Sequence, residues 1–173
     1  MRRCVPALAD LALVFVVTGR SISGIAAAHA SPAGEKLLRD LCRVYHVRTD
    51  DLRSTVAQVV RTGRTALRRS IVQEGAPHAP RGSVADLHYR LACRSALVLP
   101  LRVGGTVTGA VTLCYAGSGR TYAPSDVAGA RRVARDIQRA ALPPLPHAAP
   151  RLRAAIGDAR RPGPVRRRVV PRN

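Results

Sequence analysis

Four cysteines and one pair of adjacent carboxylates are the residues of this 173-residue chain whose types could do chemistry. Cys4, Cys42, Cys93 and Cys114 are far apart and form no CxxC pair, so neither a zinc site nor a dithiol redox motif is indicated. Asp50-Asp51 is interpreted as helix capping, and G-x-S-x-G, P-loop and HExxH motifs are absent from the sequence. We therefore expect no catalytic residues, no metal and no cofactor, and we expect cysteines that pack as buried thiols in the reducing cytoplasm.

Arginine dominates the charged residues and gives the chain a formal net charge of +19. Lys36 is the only lysine, and this skew, beside abundant alanine, glycine and proline, is typical of a GC-rich genome. Residues 143–173 contain eight arginines against one aspartate, are rich in proline and show no sustained period, which predicts a disordered basic tail. A competing prediction is therefore a polyanion-binding accessory protein, with nucleic acid as its partner. It would act through Arg151, Arg153, Arg160, Arg161 and Arg166–Arg168.

A hairpin is expected to position the rest of the chain. Two runs rich in β-branched residues, Ser95–Val103 and Thr106–Tyr115, are joined by Gly104-Gly105, which permits the positive φ angles of a type I′ turn. Both faces of the first run are apolar, so the hairpin should lie inside a sheet that is covered on both sides. Pro100 cannot donate to a ladder and should mark a bulge or the edge side of its strand.

The amino-terminal residues allow two interpretations. Basic residues, an apolar run and the A-x-A sequence at residues 28–30 resemble a cleaved signal peptide. Asp10 and Gly19 interrupt that run, however, and the residues on either side fit strands Leu8–Val17 and Ser21–Ala28 of a second hairpin. No segment reaches the ~18 to 20 apolar residues of a membrane span, so no membrane partner is expected.

Capping signals place helices between the two hairpins. Ser31 and Pro32 should start a helix that runs to about Tyr45. Thr49 should cap a second helix that ends at Gly63. The apolar side of that helix would consist of Leu52, Val56, Val59 and Val60.

The remaining elements follow in order. A third strand is predicted at Thr65–Val72, a loop at Gln73–Ser83 and a short helix at Val84–Cys93. Ser125 should cap the closing helix, which runs to residue 142. The narrow apolar seam of this helix would consist of Val127, Ala130, Ala134, Ile137 and Ala141.

This order of elements resembles a GAF domain over about residues 5–142. The resemblance is carried by the segments SALVLPLR (95–102), GTVTGAVTL (105–113) and GRTYAPSD (119–126), followed by the closing helix. Leu8-Ala9-Asp10 and residues 28–30 are similar to the opening strands of the GAF modules that precede sporulation-type serine phosphatases and histidine kinases.

The resemblance implies an α/β (α+β) fold for residues 1–142. Its central sheet would be mostly antiparallel, with five to six strands and with helices on both faces, and residues 143–173 would follow as the tail. The amino-terminal helix that pairs with the last helix in GAF dimers is not found before Leu8, and no phosphatase, kinase or cyclase domain follows Leu142. The expectation is a sensor without its own catalytic output, or a truncated relic of one.

GAF domains bind small molecules between one sheet face and the helices and loops that cover it. By that resemblance the cover here would be Leu52–Gly63, Gln73–Ser83 and Val84–Cys93. The candidate polar ligand-binding residues are His29, His88, Tyr89, Arg94, Ser95, Thr112 and Tyr115.

Each candidate also has a purely structural interpretation. Arg94 could clamp an anion bidentately, or it could pair with Asp86. His29 could be a strand-end residue bonded to the backbone, and Tyr89 and Tyr115 could be core or rim aromatics.

The cofactors and the enzyme activity known in the family are not supported by the residues. The NKFDE-type signature of cyclic-nucleotide binders is absent, and Cys93 lacks the adjacent histidine of bilin attachment, so we expect no cofactor. Single-domain GAF proteins that reduce free methionine sulfoxide use a cysteine near Cys93 and an acidic pair after it, but here residues 94–97 are RSAL. That activity stays a remote alternative.

The resemblance therefore implies a small-molecule-sensing or protein-interaction module of bacterial signal transduction. Its partner would be a signalling protein, or a second copy of the chain, bound through the closing helix 125–142. A ligand would act by shifting that helix between two arrangements.

Overall fold

A six-stranded sheet is the centre of the structure, a computed structural model that describes residues 5, 7–71 and 78–141. The strands lie in the order β3-β2-β1-β6-β5-β4, and every neighbouring pair is antiparallel. The tail 143–173 and residues 73–77 of the loop predicted at Gln73–Ser83 lie outside the described residues. In chain order the elements are β1 (Leu11–Thr18), β2 (Ser21–His29), α1 (Pro32–Val44), β3 (His46–Arg48), α2 (Thr55–Thr62), β4 (Ala66–Arg68), α3 (Val84–Leu91), β5 (Ser95–Val103), β6 (Thr106–Tyr115) and α4 (Asp126–Ala141).

The glycine-linked hairpin is confirmed as β5 and β6. Gly104 and Gly105 have φ angles of +55° and +85°, as a type I′ turn requires. The register pairs Leu97 with Leu113, and it shifts by one residue after Leu101. Pro100 lies beyond the end of the short strand β4, which pairs only with residues 96–98, so its missing N–H leaves no ladder bond unmade.

The amino-terminal hairpin is also found in the structure. β1 and β2 pair antiparallel around a turn at Gly19, whose φ is +58°. β1 begins at Leu11 rather than at the predicted Leu8, and it pairs with the central strand β6 on its other side. Within the described residues, no helix has the length and apolar character that crossing a bilayer needs.

Helices cover both faces of the sheet, as expected. α4 packs on one face, where its small seam meets alternate residues of the hairpin. α1, α2 and α3 pack on the other face. The first core includes Leu97, Leu99, Val111, Leu113, Ala130, Ala134 and Ile137. The second includes Leu11, Leu13, Leu38, Leu41, Val59, Leu87 and Val98.

The start of α2 corrects a prediction. Its cap is Ser54, whose side chain accepts a hydrogen bond from the Ala57 N–H, and not Thr49. Leu52 was expected on the apolar side of this helix but is 85% exposed. The reason is tertiary, because residues 46–48 pair with β2 as an edge strand and the chain needs a turn before a helix can begin.

Asp50 belongs to that turn rather than to a helix. Arg48 and Arg20 donate to its carboxylate, at 2.9 and 2.6 Å, and they hold the pKa of Asp50 well below its usual range. The carboxylate therefore fixes the turn after β3 by ion pairing at the surface.

Other boundaries follow the predictions more closely. Ser31 caps α1 by accepting a hydrogen bond from the Gly34 N–H at 3.2 Å. Pro32 is the first helical residue, and Tyr45 is the C-cap. Gly63 ends α2 in the left-handed conformation. The third strand is shorter than predicted, because only residues 66–68 pair with β5.

Candidate functional site

A cavity of about 650 Å³ lies against the sheet face that α1, α2 and α3 cover. Its floor is made of alternate residues of the three central strands. Its walls come from α1, the amino end of α2, α3 and the segment after β4. This volume is in the range of small-molecule sites. The floor residues are Leu13, Phe15, Ala96, Val98, Thr112 and Cys114.

Thr112 is the polar group at the centre of this floor. It is 9% exposed, and the register places it between Val98 and Leu13, whose side chains have no hydrogen-bond acceptor. Within the part of the chain that the structure describes, its Oγ1 is buried without a hydrogen-bond partner. A buried hydroxyl in this state costs about 1–3 kcal/mol, unless a bound molecule satisfies it.

Replacing Thr112 by valine, which has the same shape, should therefore stabilise the ligand-free protein by about 1 kcal/mol. Urea unfolding of the wild type and of Thr112→Val measures the difference. Thr106→Val in the same strand is the control, since Thr106 is exposed and its substitution should change stability by less than about 0.5 kcal/mol. A less stable Thr112→Val protein would show that the hydroxyl is already satisfied.

Two cysteine thiols lie side by side in the lining of the cavity. Cys93 and Cys114 both line it and form a hydrogen bond with each other. The bond from Cys114 lowers the pKa of Cys93, because it favours the Cys93 thiolate. The same bond, together with burial, raises the pKa of Cys114 well above its usual value. The prediction of a buried thiol is confirmed for Cys114, whereas Cys42 and Cys93 are partly exposed.

Aromatic rings form another part of the cavity wall. The Tyr45 ring centroid lies 4.8 Å from that of Phe15 and 6.2 Å from that of His88, and the Tyr45 hydroxyl lies 3.4 Å from Ser54 Oγ. Burial raises the pKa of Tyr45, and desolvation lowers the pKa of the His88 imidazole. Both side chains are therefore uncharged at neutral pH, and this wall presents rings without charge.

Three of the predicted residues line the cavity: Thr112, Tyr89 and His88. Tyr89 is 45% exposed and therefore lies at the rim, which matches the rim-aromatic interpretation. Thr112 lies on the floor.

Four of the predicted residues lie elsewhere. His29, at the end of β2, accepts a hydrogen bond from the Ser31 N–H at 2.9 Å and packs on Gly34, as its structural interpretation anticipated. Desolvation lowers the pKa of His29. Arg94 precedes β5 and bonds Tyr115 and Ile71 through its backbone.

Asp86, the carboxylate considered as a partner of Arg94, pairs instead with Arg90 at 3.4 Å.

Ser95 and Tyr115 lie away from the cavity for a reason that the sequence contains. Tyr115 stacks on Tyr122 with ring centroids 4.2 Å apart, on the α4 side of the sheet. Thr112 and Tyr115 are three residues apart in one strand, so alternation puts them on opposite faces. Ser95 is fully buried, where its Oγ donates to the Arg68 carbonyl at 2.9 Å and accepts from the Tyr122 N–H at 3.0 Å.

Sequence reasoning missed the charged residues at the mouth of the cavity. Asp51, Arg53 and Arg68 all line it. Arg68 is on the short edge strand, and Arg53 follows the turn at the end of β3. No motif marks either arginine, because only the tertiary structure brings both to one cavity, where Arg68 donates to Thr55 Oγ1 two residues after Arg53.

Comparison with known proteins agrees with this architecture. The model of the GAF domain family matches residues 8–141, so the chain belongs to the GAF family. No match was found among curated proteins.

Solved structures give the same fold. The chain is similar to the GAF-B domain of DevS from Mycobacterium smegmatis, with 18% identity, a TM-score of 0.52 and coverage of 88% of this chain and 85% of that one. It is similar to a GAF domain/HD domain protein from Geobacter sulfurreducens, with 16% identity, a TM-score of 0.54 and coverage of 89% and 85%. A third is the GAF domain of a phosphoenolpyruvate-protein phosphotransferase from Coxiella burnetii, with 13% identity, a TM-score of 0.54 and coverage of 88% and 77%.

Proposed function

We propose that this protein is a small-molecule-sensing GAF module that acts by binding and has no catalytic output of its own. The observation that carries the proposal is the cavity of about 650 Å³ against the sheet, with a buried hydroxyl on its floor that has no hydrogen-bond partner among the described residues. GAF domains are commonly sensory or regulatory modules of signalling proteins, and the solved GAF domains with this fold include one from DevS. The partner would be a signalling protein, such as a serine phosphatase or a histidine kinase, or a second copy of the chain.

If ligand binding is to shift the closing helix α4, its effect must be transmitted from one face of the sheet to the other. The cavity and α4 lie on opposite faces, so a ligand does not touch α4 directly. Ser95 supports a route, because its hydroxyl joins the carbonyl of the cavity residue Arg68 to the backbone of Tyr122, which precedes α4. A ligand that shifts β4 would thus act on the segment that leads into the helix.

The competing prediction of polyanion binding rests on residues 151–168, outside the described residues, and stays a prediction.

Native mass spectrometry of freshly purified protein tests the proposal. We expect a co-purified small molecule that leaves the wild type at low collision energy. We also expect it to be absent from Ala85→Trp, since Ala85 is an exposed residue of α3 at the cavity and an indole there fills the opening.

Ala128→Trp is the matched control, because Ala128 is an exposed alanine of α4 on the other face. A molecule retained equally by both variants would place its binding site outside the cavity. Wild-type protein that carries no molecule, and whose melting temperature no metabolite raises, would contradict the proposed function.

A further inference from the structure

The amino end of α2 is unlike those of the other helices, and it opens on the cavity. α1, α3 and α4 each carry an acidic residue in the first turn: Glu35, Asp86 and Asp126. α2 has none, so no residue of its own first turn offsets the positive end of its dipole. Three residues at this end, Ser54, Thr55 and Val56, line the cavity.

Backbone donors remain available at this end. The Ala57 N–H is satisfied by the Ser54 side chain at 3.1 Å, and the Gln58 N–H by the Ser54 carbonyl at 2.9 Å. The N–H groups of Thr55 and Val56 have no hydrogen bond among the described residues. Helix ends of this kind bind anions, because unsatisfied N–H groups and the dipole act together.

Two arginines line the cavity at that helix end, and Arg53 directly precedes the Ser54 cap. Arg68 donates to Thr55 Oγ1 from Nε and Nη2, both at 3.3 Å, which places its charge at the first turn of α2. Neither Arg68 nor Arg53 forms an ion pair with a carboxylate of the described residues, although eight such pairs occur elsewhere. Asp51, the acidic residue among those lining the cavity, accepts from the Arg53 backbone N–H at 2.8 Å. Among the described residues, the charged side chains that line the cavity therefore have a net positive charge.

A second observation comes from the floor of the cavity. Thr112 Oγ1 is buried there between the apolar side chains of Leu13 and Val98, and no group in the described part of the chain forms a hydrogen bond with it. A ligand that reached this hydroxyl would pack against the apolar side chains of the strands. Its far end would form one hydrogen bond with Thr112. A cavity with a positively charged mouth, apolar walls and one buried hydroxyl matches an amphipathic ligand.

We infer that the cavity takes a small amphipathic organic anion, with its charged group at the amino end of α2 beside Arg53 and Arg68 and its apolar body extending over the sheet toward Thr112. This inference rests on the proposed function and names the chemical class of the ligand. The anion would replace water at two guanidinium groups and two backbone N–H groups, and its carboxylate or sulfonate oxygens match those donors.

Two matched fluorescent probes test the charge. 8-Anilinonaphthalene-1-sulfonate is the anionic probe, and N-phenyl-1-naphthylamine is its uncharged counterpart. In Arg53→Gln/Arg68→Gln, the dissociation constant of the anionic probe should rise at least about tenfold, because the sulfonate loses its charge-assisted contacts with both guanidinium groups. The dissociation constant of the uncharged probe should stay within about twofold, because apolar burial is unchanged.

Arg131→Gln/Arg135→Gln is the control for the high net charge of the chain. It removes the same charge from exposed positions of α4 and should leave both dissociation constants unchanged. If this control raises the dissociation constant of the anionic probe as much as the cavity variant does, the inference is wrong. Arg53→Gln alone keeps the test decisive if the double variant does not fold, because the Arg53 side chain is exposed and forms no bond to the described residues.

The outcomes separate the inference from the proposed function. If Ala85→Trp abolishes binding of both probes and Arg53→Gln/Arg68→Gln leaves the anionic one unaffected, the cavity binds ligands but selects no anion, and only the inference fails. If neither probe binds the wild type, the proposed function fails together with the inference.

Discussion

Replacing Asp10 by alanine is expected to lower the free energy of unfolding by about 3 kcal/mol. Asp10 is 6% exposed, and its carboxylate accepts from the N–H groups of Ala116 and Ser118, at 2.7 and 2.9 Å, and from Arg120 at 3.4 Å. The alanine variant leaves these donors without their acceptor, and each buried donor that is left unsatisfied costs about 1–3 kcal/mol. Urea denaturation followed by circular dichroism measures the loss.

The control for this variant is a carboxylate that does not hold backbone donors. Asp136 forms an exposed pair with Arg139 at 3.8 Å, so Asp136→Ala should change the free energy of unfolding by less than about 0.5 kcal/mol. An Asp10→Ala protein within 1 kcal/mol of the wild type would mean that water can take over the role of the carboxylate.

The same carboxylate predicts part of the acid sensitivity. Burial raises the pKa of Asp10, but hydrogen bonds from Ser118, Ala116 and Arg120 outweigh burial and leave the pKa below its ordinary value of 3.8. As the pH falls, the unfolded chain is therefore protonated first. The stabilisation is complete above the unfolded value and is lost as the pH falls through the lower native one. Asp10→Asn should flatten the decline of unfolding free energy below about pH 5, and an unchanged slope would contradict this assignment.

The second large effect is expected at Gly109, in the centre of the sheet. Gly109 pairs with Leu101 of β5 and with Val16 of β1, and a Cβ atom there would collide with the Phe15 carbonyl oxygen. Backbone atoms of a central strand cannot move aside as a side chain can, so β1 and β6 must separate. Gly109→Ala should cost about 3 kcal/mol or more, at or above the upper end of ordinary overpacking, and thermal unfolding measures it.

Gly117 offers a matched control, because a Cβ atom there meets no atom within 4 Å and its φ is not in the left-handed region. Gly117→Ala should leave stability within about 0.5 kcal/mol or raise it slightly. Equal stability of the two alanine variants would show that the strands tolerate a wider spacing.

Most of the local structure could be predicted from short stretches of sequence. Gly104-Gly105 allows positive φ at both positions, and Gly63 takes the left-handed conformation. Ser31 accepts a hydrogen bond from a free N–H group of the first helical turn, and Pro32 has no N–H group that would need a partner there. These effects act over one to four residues, which is why the predicted and observed positions agree. The GAF family was recognisable for the same reason, since its hairpin motif lies within one continuous segment.

The candidate site was only partly predictable. Thr112 was found because it is a polar residue in an apolar strand, but Tyr115 was assigned to the same cavity although strand alternation places it on the α4 side. Thr49 and Leu52 were assigned to a helix because nothing local indicates that residues 46–48 pair with β2.

The sequence by itself determined the four long strands β1, β2, β5 and β6, the hairpin turns and most of the helix ends, because each depends on steric and hydrogen-bonding preferences of neighbouring residues. Only the tertiary structure decided which face of the sheet each helix covers, and hence that the cavity and α4 are on opposite sides. It also decided that Arg53 and Arg68, fifteen positions apart in sequence, both line the cavity mouth. These positions depend on pairing between strands that are far apart in the sequence, so the residues of a single segment do not determine them.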